Sequence, residues 1–131
     1  MYNNKLYVFG GFSALGSGAV FNDTWVFDPT AAVNSKWTRI NTANLSVGRA
    51  YIAGATLNGK IYAIGGDTWN SGSRQLIPQS IVEVLDPANL AAGWTTVASL
   101  PTARGDMGAK LDSLGESRRE RETSLSAAKD M

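Results

Sequence analysis

The chain has 131 residues, of which 44% are hydrophobic, and a formal net charge of +1, with no cysteine and no histidine. This length fits one small folded domain, and a charge so close to zero argues against nucleic acid or an anionic membrane as a partner. The absence of cysteine and histidine excludes disulfides, Ser-His-Asp and Cys-His catalysis and the usual transition-metal sites, so we expect neither a cofactor nor a metal. No apolar run approaches the roughly 18 residues of a membrane-spanning helix, and the amino terminus lacks the pattern of a secretory signal, which together favour the cytoplasm.

The first predicted elements belong to a unit that begins with KLYVFGG at residues 5–11. A strand that ends in the glycine pair is followed by a long glycine-rich loop and by a second strand at residues 24–27. This second strand ends at the Asp-Pro pair 28–29, because proline cannot donate to a central ladder, and a third strand starts at Trp37. Short apolar runs separated by turn residues predict an all-β protein.

The second unit repeats this order and adds a strand in front. Residues 51–57 are predicted as a strand, and the following Asn58-Gly59 predicts a two-residue hairpin turn because both residues tolerate positive φ angles. The next strand, residues 61–64, is apolar on both faces, which is typical of an interior strand. After a second glycine pair, residues 67–79 are predicted as a polar loop and residues 81–85 as a strand.

The two units correspond position by position. The pairs Asp28 and Asp86, Trp37 and Trp94, and Arg49 and Arg104 are 58, 57 and 55 positions apart. A repeat of this length with four strands per unit is typical of a propeller blade. The glycine pair after an apolar strand, the segment NDTWVFDP and a tryptophan shortly past each Asp-Pro together resemble the kelch repeat, over residues 5–110. The resemblance implies an all-β fold, a partial β-propeller made of four-stranded antiparallel kelch blades.

The resemblance also implies structural roles for the residues of the motif. Each glycine pair is expected to end a strand where the chain passes close to neighbouring backbone, so that a Cβ atom would clash. The tryptophans are expected to pack between blades, and each arginine to precede an innermost strand. The motif positions are Gly10, Gly11, Trp25, Asp28, Trp37, Arg49, Gly65, Gly66, Asp86, Trp94 and Arg104.

The phase of the chain within the repeat predicts four segments. Residues 1–41 are expected to form an incomplete blade without its innermost strand, 49–98 a complete blade, 104–112 the innermost strand of a further blade, and 113–131 a charged helical or disordered tail. Two interpretations follow. Either the chain is a fragment of a longer propeller, or the last strand of one copy completes the first blade of the next in a ring of three chains. We expect a lone copy to be marginally stable or prone to aggregation.

For function, the resemblance implies a protein-interaction module whose loops, at one face of the propeller, bind a protein partner. The unpaired blade edges also offer a route to self-association. The residues expected at the partner surface are Tyr51, Trp69, Asn70, Arg74, Gln75 and Asp106. Two of them have a simpler interpretation, since Trp69 can fold back on its own blade and Arg74 can serve only as a solubilising charge.

Two other functions stay open at this point. The chain can be part of a kelch-propeller enzyme that acts on a sugar or another small molecule, or a truncated gene product without function. Asp67 follows the second glycine pair and Asp106 is expected near the mouth of the propeller channel, so a pair of carboxylates is conceivable there. No catalytic residue is assigned, because the sequence does not set the separation of the two side chains.

Overall fold

The computed structural model describes residues 4–13 and 20–105, where short strands and two 3-10 helices make up the regular structure. The 3-10 helices, Val33–Ser35 and Leu90–Ala92, each follow an Asp-Pro pair that ends a strand. The strands are β1 (Leu6–Phe9), β2 (Thr24–Phe27), β3 (Trp37–Arg39), β4 (Ala53–Leu57), β5 (Lys60–Ile64), β6 (Asp67–Asn70), β7 (Gln75–Pro78), β8 (Val82–Leu85) and β9 (Trp94–Val97). The all-β prediction is confirmed.

These strands form two main sheets and a separate hairpin, with antiparallel pairing throughout. The first sheet has the order β1-β2-β3, the second has the order β4-β5-β8-β9, and β6 pairs with β7. Strand β5 lies inside the second sheet, as predicted, and it buries Ile61 and Ala63 while Lys60, Tyr62 and Ile64, which alternate with them, are less buried. This alternation arises because successive side chains of a strand point to opposite faces of the sheet.

The turn between β4 and β5 has the predicted geometry. Asn58 and Gly59 have φ angles of 52° and 74°, and the residues on either side of them are paired. Two positive φ angles give a turn whose twist matches that of the flanking strands. The predicted two-residue hairpin is therefore confirmed.

The prediction of a polar loop at residues 67–79 is wrong, because most of this segment forms the hairpin β6-β7. Thr68 pairs with Ile77 and Trp69 with Leu76, so strand-forming residues lie opposite one another. The polar residues around them hid this pairing in the sequence, since an exposed hairpin needs no continuous apolar face.

The core lies between the two main sheets. Its buried members are Ala43, Ile61 and Leu85, against which Tyr7, Phe9, Ile40, Leu90 and Trp94 pack. Trp94 joins the sheets in two ways, with its ring edge-to-face on Phe9 at a centroid distance of 4.9 Å and with its indole Nε1 donating to Thr24 Oγ1 at 2.9 Å. The packing of one sheet on the other holds the strand ends of both units side by side.

Each main sheet also has an outer face that carries exposed apolar side chains. We call the outer face of the first sheet the front face; its members are Leu6, Val8, Trp25, Phe27 and Trp37. We call the outer face of the second sheet the back face; its apolar members are Ala53, Ala55, Leu57, Tyr62, Ile64, Val82, Val84 and Val97, of which Ala53 and Val82 are buried. Trp25 and Trp37 are 37% and 50% exposed, whereas the equivalent of Trp37, Trp94, packs in the core. Among the described residues, the one further sheet is the two-stranded hairpin β6-β7.

None of the helical segments in the described part of the chain is long and apolar enough to cross a membrane.

Candidate functional site

The loops that follow the glycine pairs lie at one end of both sheets. Strands β1 and β5 run toward this end, and β2, β4 and β8 start from it, so their connections meet there. We call this end the rim; its described residues are 10–13, 20–23, 40–52, 65–81 and 98–105. The Asp-Pro turns and the turn between β4 and β5 lie at the opposite end.

A buried ion pair between Arg49 and Glu83 holds part of the rim against the second sheet. Their side chains are 0% and 1% exposed, and Arg49 Nη1 lies 2.8 Å from Glu83 Oε2. Arg49 Nε donates to the carbonyl of Gly65 at 2.7 Å, and Nη1 also donates to the carbonyl of Val47 at 3.2 Å. Glu83 Oε1 accepts the backbone N–H of Ser46 at 2.9 Å. The pair therefore ties the segment between the sheets to β8 of the second sheet.

Sequence reasoning missed Glu83, although a signal was present. Glu83 is the one charged residue in the apolar run 81–85, where a buried carboxylate requires a partner. The nitrogen Arg49 Nη2 is buried and makes no hydrogen bond with the described chain, so the guanidinium is held by its other nitrogens.

The glycine pairs lie where backbone from the next segment passes close by. A Cβ atom on Gly10 would come within 2.5 Å of the Arg49 carbonyl oxygen, and one on Gly65 would collide with that of Arg104. The second glycine of each pair donates its N–H to the same carbonyl, Gly11 to Arg49 at 2.9 Å and Gly66 to Arg104 at 2.8 Å. Both units thus place the residue after the strand against an arginine backbone in the same manner.

The hairpin β6-β7 lies at the rim, outside both main sheets. Trp69, on β6, is only partly buried, and its ring lies 5.7 Å from the ring of Phe12, which follows the first glycine pair. Sequence reasoning predicted Trp69 as a candidate but missed Phe12, because nothing local indicates that two loops 57 positions apart meet. The ring contact anchors the hairpin of the second unit to the loop of the first.

The hairpin turn positions three further candidates. Asn70 Oδ1 accepts the backbone N–H groups of Gly72 at 2.9 Å and Ser73 at 3.1 Å, so its side chain closes the turn. Arg74 has a φ angle of 55° and its side chain is exposed, as is that of Gln75. Arg74 and Gln75 are therefore available to a partner, whereas the Asn70 oxygen is already engaged.

Tyr51 lies at the base of the hairpin and is 47% exposed. Its neighbour Ala50 exchanges two backbone hydrogen bonds with Asp67, of 2.8 and 2.7 Å, which brings Tyr51 to the start of β6. Asp67 itself is buried, and its carboxylate lies so close to Gly105 that a Cβ there would overlap it. The remaining candidate, Asp106, lies outside the described residues, so the carboxylate pair with Asp67 stays a hypothesis.

The two Asp-Pro turns, at the opposite end, are built alike. Asp28 Oδ1 accepts both the hydroxyl and the backbone N–H of Thr30, at 2.7 and 2.9 Å, and Asp86 Oδ1 accepts the backbone N–H of Ala88 at 3.0 Å. The hydrogen bonds from Thr30, the hydroxyl first, lower the pKa of Asp28 below its usual value. These carboxylates therefore serve the turns.

Across the described residues, no group of three or more Asp and Glu side chains is placed to hold a metal ion.

Comparisons with known proteins agree with this architecture. Residues 1–44 and 48–101 match the family model described as the kelch motif. An N-acetylneuraminate epimerase of Pasteurella multocida (strain Pm70) is 36% identical over 76 residues, which cover 52% of this chain but 18% of that protein. The solved structure of YjhT superimposes with a TM-score of 0.57 at 19% identity, over 77% of this chain and 36% of YjhT. The chain thus spans a minor part of both relatives, and its fold is that of a partial β-propeller.

Proposed function

The chain belongs to the kelch-repeat family, and we propose that it is a protein-interaction module whose rim binds a protein partner. In this proposal residues 49–98 form one complete blade and residues 1–41 part of another. The sheets hold the rim in place and contribute no chemistry of their own. Rigid scaffolds that position variable loops commonly serve binding.

The proposal is supported above all by the way in which the hairpin β6-β7 is held in place. It stands outside both main sheets, yet the contact between Trp69 and Phe12 and the hydrogen bonds of Ala50 with Asp67 hold it in place. A preordered segment loses little conformational entropy when a partner binds. An anchored hairpin with an exposed tip is therefore a better binding element than a free loop of the same length.

The side chains on this element suit a protein partner. Trp69 and Tyr51 present aromatic surface, and Arg74 presents a guanidinium with several donors at the exposed turn. Tryptophan, tyrosine and arginine are the residues that most often dominate binding energy at protein interfaces. We expect the partner to place an apolar side chain against Trp69 and a carboxylate or carbonyl oxygen against Arg74.

The test places a photoreactive amino acid at two exposed positions of the intact protein. A benzoyl-phenylalanine at Gln75 should crosslink a specific partner, and one at Val33, which is 83% exposed at the opposite end, should not. Once the partner is identified, Trp69→Ala and Arg74→Glu should each weaken its binding by about tenfold or more, with Val33→Ala as the neutral control. Equal crosslinking from both positions, or full affinity in both rim variants, would contradict the proposal.

A second candidate is a part in an enzyme that acts on a sugar. The 36% identity to an N-acetylneuraminate epimerase favours it, and Tyr51 and the buried Asp67 lie at the rim. The absence of histidine restricts acid–base catalysis to carboxylates, tyrosine and lysine. In that case the intact protein epimerises N-acetylneuraminate, and NMR of the sugar's two anomers follows the reaction. Asp67→Asn should abolish turnover but leave the crosslink from position 75 unchanged. No turnover and no specific partner would instead indicate a gene product without function.

A further inference from the structure

The backbone groups of the hairpin β6-β7 have directions that follow from one pair of hydrogen bonds at its base. Asp67 exchanges two backbone hydrogen bonds with Ala50, of 2.7 and 2.8 Å, so its N–H and C=O point away from β7. Successive residues of a strand point their backbone groups to opposite sides, and Thr68 therefore points its own groups at Ile77 across the hairpin. Thr68 and Ile77 are thus a hydrogen-bonded pair, which sets the direction of the backbone groups along both strands.

The outer edge of β7 carries three backbone groups that point away from the hairpin. Leu76 and Pro78 lie on either side of Ile77, so the N–H and C=O of Leu76 and the C=O of Pro78 point away from β6. Among the described residues, no strand pairs with this edge, and no backbone hydrogen bond from a loop reaches these groups. Because proline has no N–H, the edge offers one donor and two acceptors. An open edge of this kind is a template for a further strand.

The side chains beside this edge suit an added strand. The sequence of β7 is QLIP, without the lysine or other charged residue that commonly protects an exposed edge. Leu76 lies on the same face of the hairpin as Trp69, whose ring contacts Phe12. Ile77 lies on the opposite face and is 38% exposed. A strand that pairs with β7 therefore gains apolar contact with Ile77 in addition to main-chain hydrogen bonds.

We propose that the partner of the rim binds as an extended strand along the outer edge of β7, an inference that rests on the protein-interaction function proposed above. The partner residue opposite Leu76 exchanges two hydrogen bonds with it, and a second partner residue donates its N–H to the C=O of Pro78. An apolar side chain of the partner lies beside Ile77. A partner helix cannot make these contacts, because its own N–H and C=O groups are bonded within the helix.

A second copy of β7 fits this edge less well than a strand of another protein. If two copies pair antiparallel about Leu76, then Pro78 of one copy meets Arg74 of the other. Arg74 has a φ angle of 55°, so its backbone does not continue the strand. Self-pairing is thereby limited to Leu76, which favours an extended segment of a different protein as the occupant.

The probe for the test is a peptide of about eight residues, selected on the full chain from a phage-displayed random library. Leu76→Pro removes the outward N–H of the edge and should weaken binding of this peptide by about tenfold or more. Leu76→Ala changes the side chain but keeps the N–H, and is the matched control. Fluorescence anisotropy measures the dissociation constant of each variant.

A second measurement uses the wild-type chain and changes only the peptide. A single N-methyl group, moved along the peptide backbone, should weaken binding by about tenfold at every second position, because alternate N–H groups face β7. A peptide that binds through its side chains loses affinity without this period of two. The scan stays decisive if circular dichroism shows that Leu76→Pro has lost sheet content.

Four results would overturn the strand proposal: a library that yields no binder, an N-methyl scan without the period of two, equal affinities in folded Leu76→Pro and Leu76→Ala, or self-association of the chain that Leu76→Pro abolishes. Crosslinking from position 75 separates this proposal from the interaction function. A crosslinked protein that the selected peptide does not displace contradicts strand pairing but leaves the interaction function standing. The absence of a specific crosslink overturns both.

Discussion

Arg49 and Arg104 occupy equivalent places in the two units, yet their side chains have opposite surroundings. Both carbonyls accept an N–H from the second glycine of a pair, at 2.9 and 2.8 Å. Arg49 is fully buried against Glu83, whereas Arg104 is exposed. The backbone position is set by the repeat, and the energetic role of the side chain is set by whether another sheet covers it. A kelch motif residue therefore has no fixed contribution to stability.

The largest expected difference in the free energy of unfolding is between alanine variants of these two arginines. Arg49→Ala leaves the buried Glu83 carboxylate without its partner and should lower the free energy of unfolding by about 3–5 kcal/mol. Arg104→Ala removes an exposed side chain and should change it by about 0.5 kcal/mol or less. Urea unfolding followed by tryptophan fluorescence measures both free energies, and similar losses in the two variants would contradict the different roles assigned to Arg49 and Arg104.

The next effect concerns the glycine pairs. Gly10→Ala places an alanine at a left-handed φ angle of 69° and its Cβ within 2.5 Å of the Arg49 carbonyl oxygen. We expect it to lower the free energy of unfolding by about 2–4 kcal/mol. Gly59→Ala has a similar φ angle of 74° but open space around the new Cβ, and should cost about 1–2 kcal/mol. Thermal unfolding of the two variants separates backbone strain from the close approach. Equal losses of stability in Gly10→Ala and Gly59→Ala would mean that the contact of the new Cβ with the Arg49 carbonyl oxygen contributes nothing.

A smaller effect distinguishes the two equivalent tryptophans. Trp94→Phe removes the donor to the fully buried Thr24 hydroxyl and should cost about 1–3 kcal/mol. Trp37→Phe acts on a side chain that is 50% exposed on the front face, and should cost about 0.5 kcal/mol or less. Both variants keep an aromatic ring, so urea unfolding reports the difference in surroundings. A larger loss from Trp37→Phe would indicate that the front face is covered in solution.

The smallest effect lies in the Asp-Pro turns and appears only in acid. Because the pKa of Asp28 is lowered in the folded chain, its carboxylate stabilises the fold above its ordinary pKa, and this contribution is lost as pH falls through the lowered pKa. Thr30→Ala should raise the pKa of Asp28 toward its usual value and flatten the acid limb of the stability profile. NMR titration of the carboxyl carbon measures this, with Thr102→Ala as the control, and an unchanged pKa in Thr30→Ala would contradict the assigned cause.

Features set by local residues could be predicted from the sequence. The Asn58-Gly59 turn, the interior strand β5 and the strand ends at the Asp-Pro pairs each depend on a few adjacent residues. Predicted strand bounds were off by one or two residues, since β4 begins at Ala53 and β8 at Val82. Turn chemistry and apolar alternation act over short distances, which is why they can be interpreted without the fold.

Features set by distant residues could not be predicted in this way. The partner of Arg49 is 34 positions away, and Phe12 meets Trp69 only because the two sheets pack side by side. The hairpin β6-β7 was missed because its exposed strands need no apolar face. The rim candidates Trp69, Arg74 and Gln75 were predicted from their residue types, but their arrangement on an anchored hairpin depends on the tertiary fold.

A double-mutant cycle on Arg49→Met and Glu83→Leu measures how strongly the buried arginine depends on the carboxylate of the neighbouring sheet. A second cycle pairs Arg104→Met with Glu83→Leu, and all six chains are unfolded with urea in the same concentration of trimethylamine N-oxide, which favours the folded state of each. We expect a coupling free energy of at least about 1.5 kcal/mol between positions 49 and 83, and one within about 0.5 kcal/mol of zero between Arg104→Met and Glu83→Leu. A coupling below about 0.5 kcal/mol for Arg49 and Glu83 would contradict the claim that the neighbouring sheet, through its carboxylate, gives the motif arginine its role.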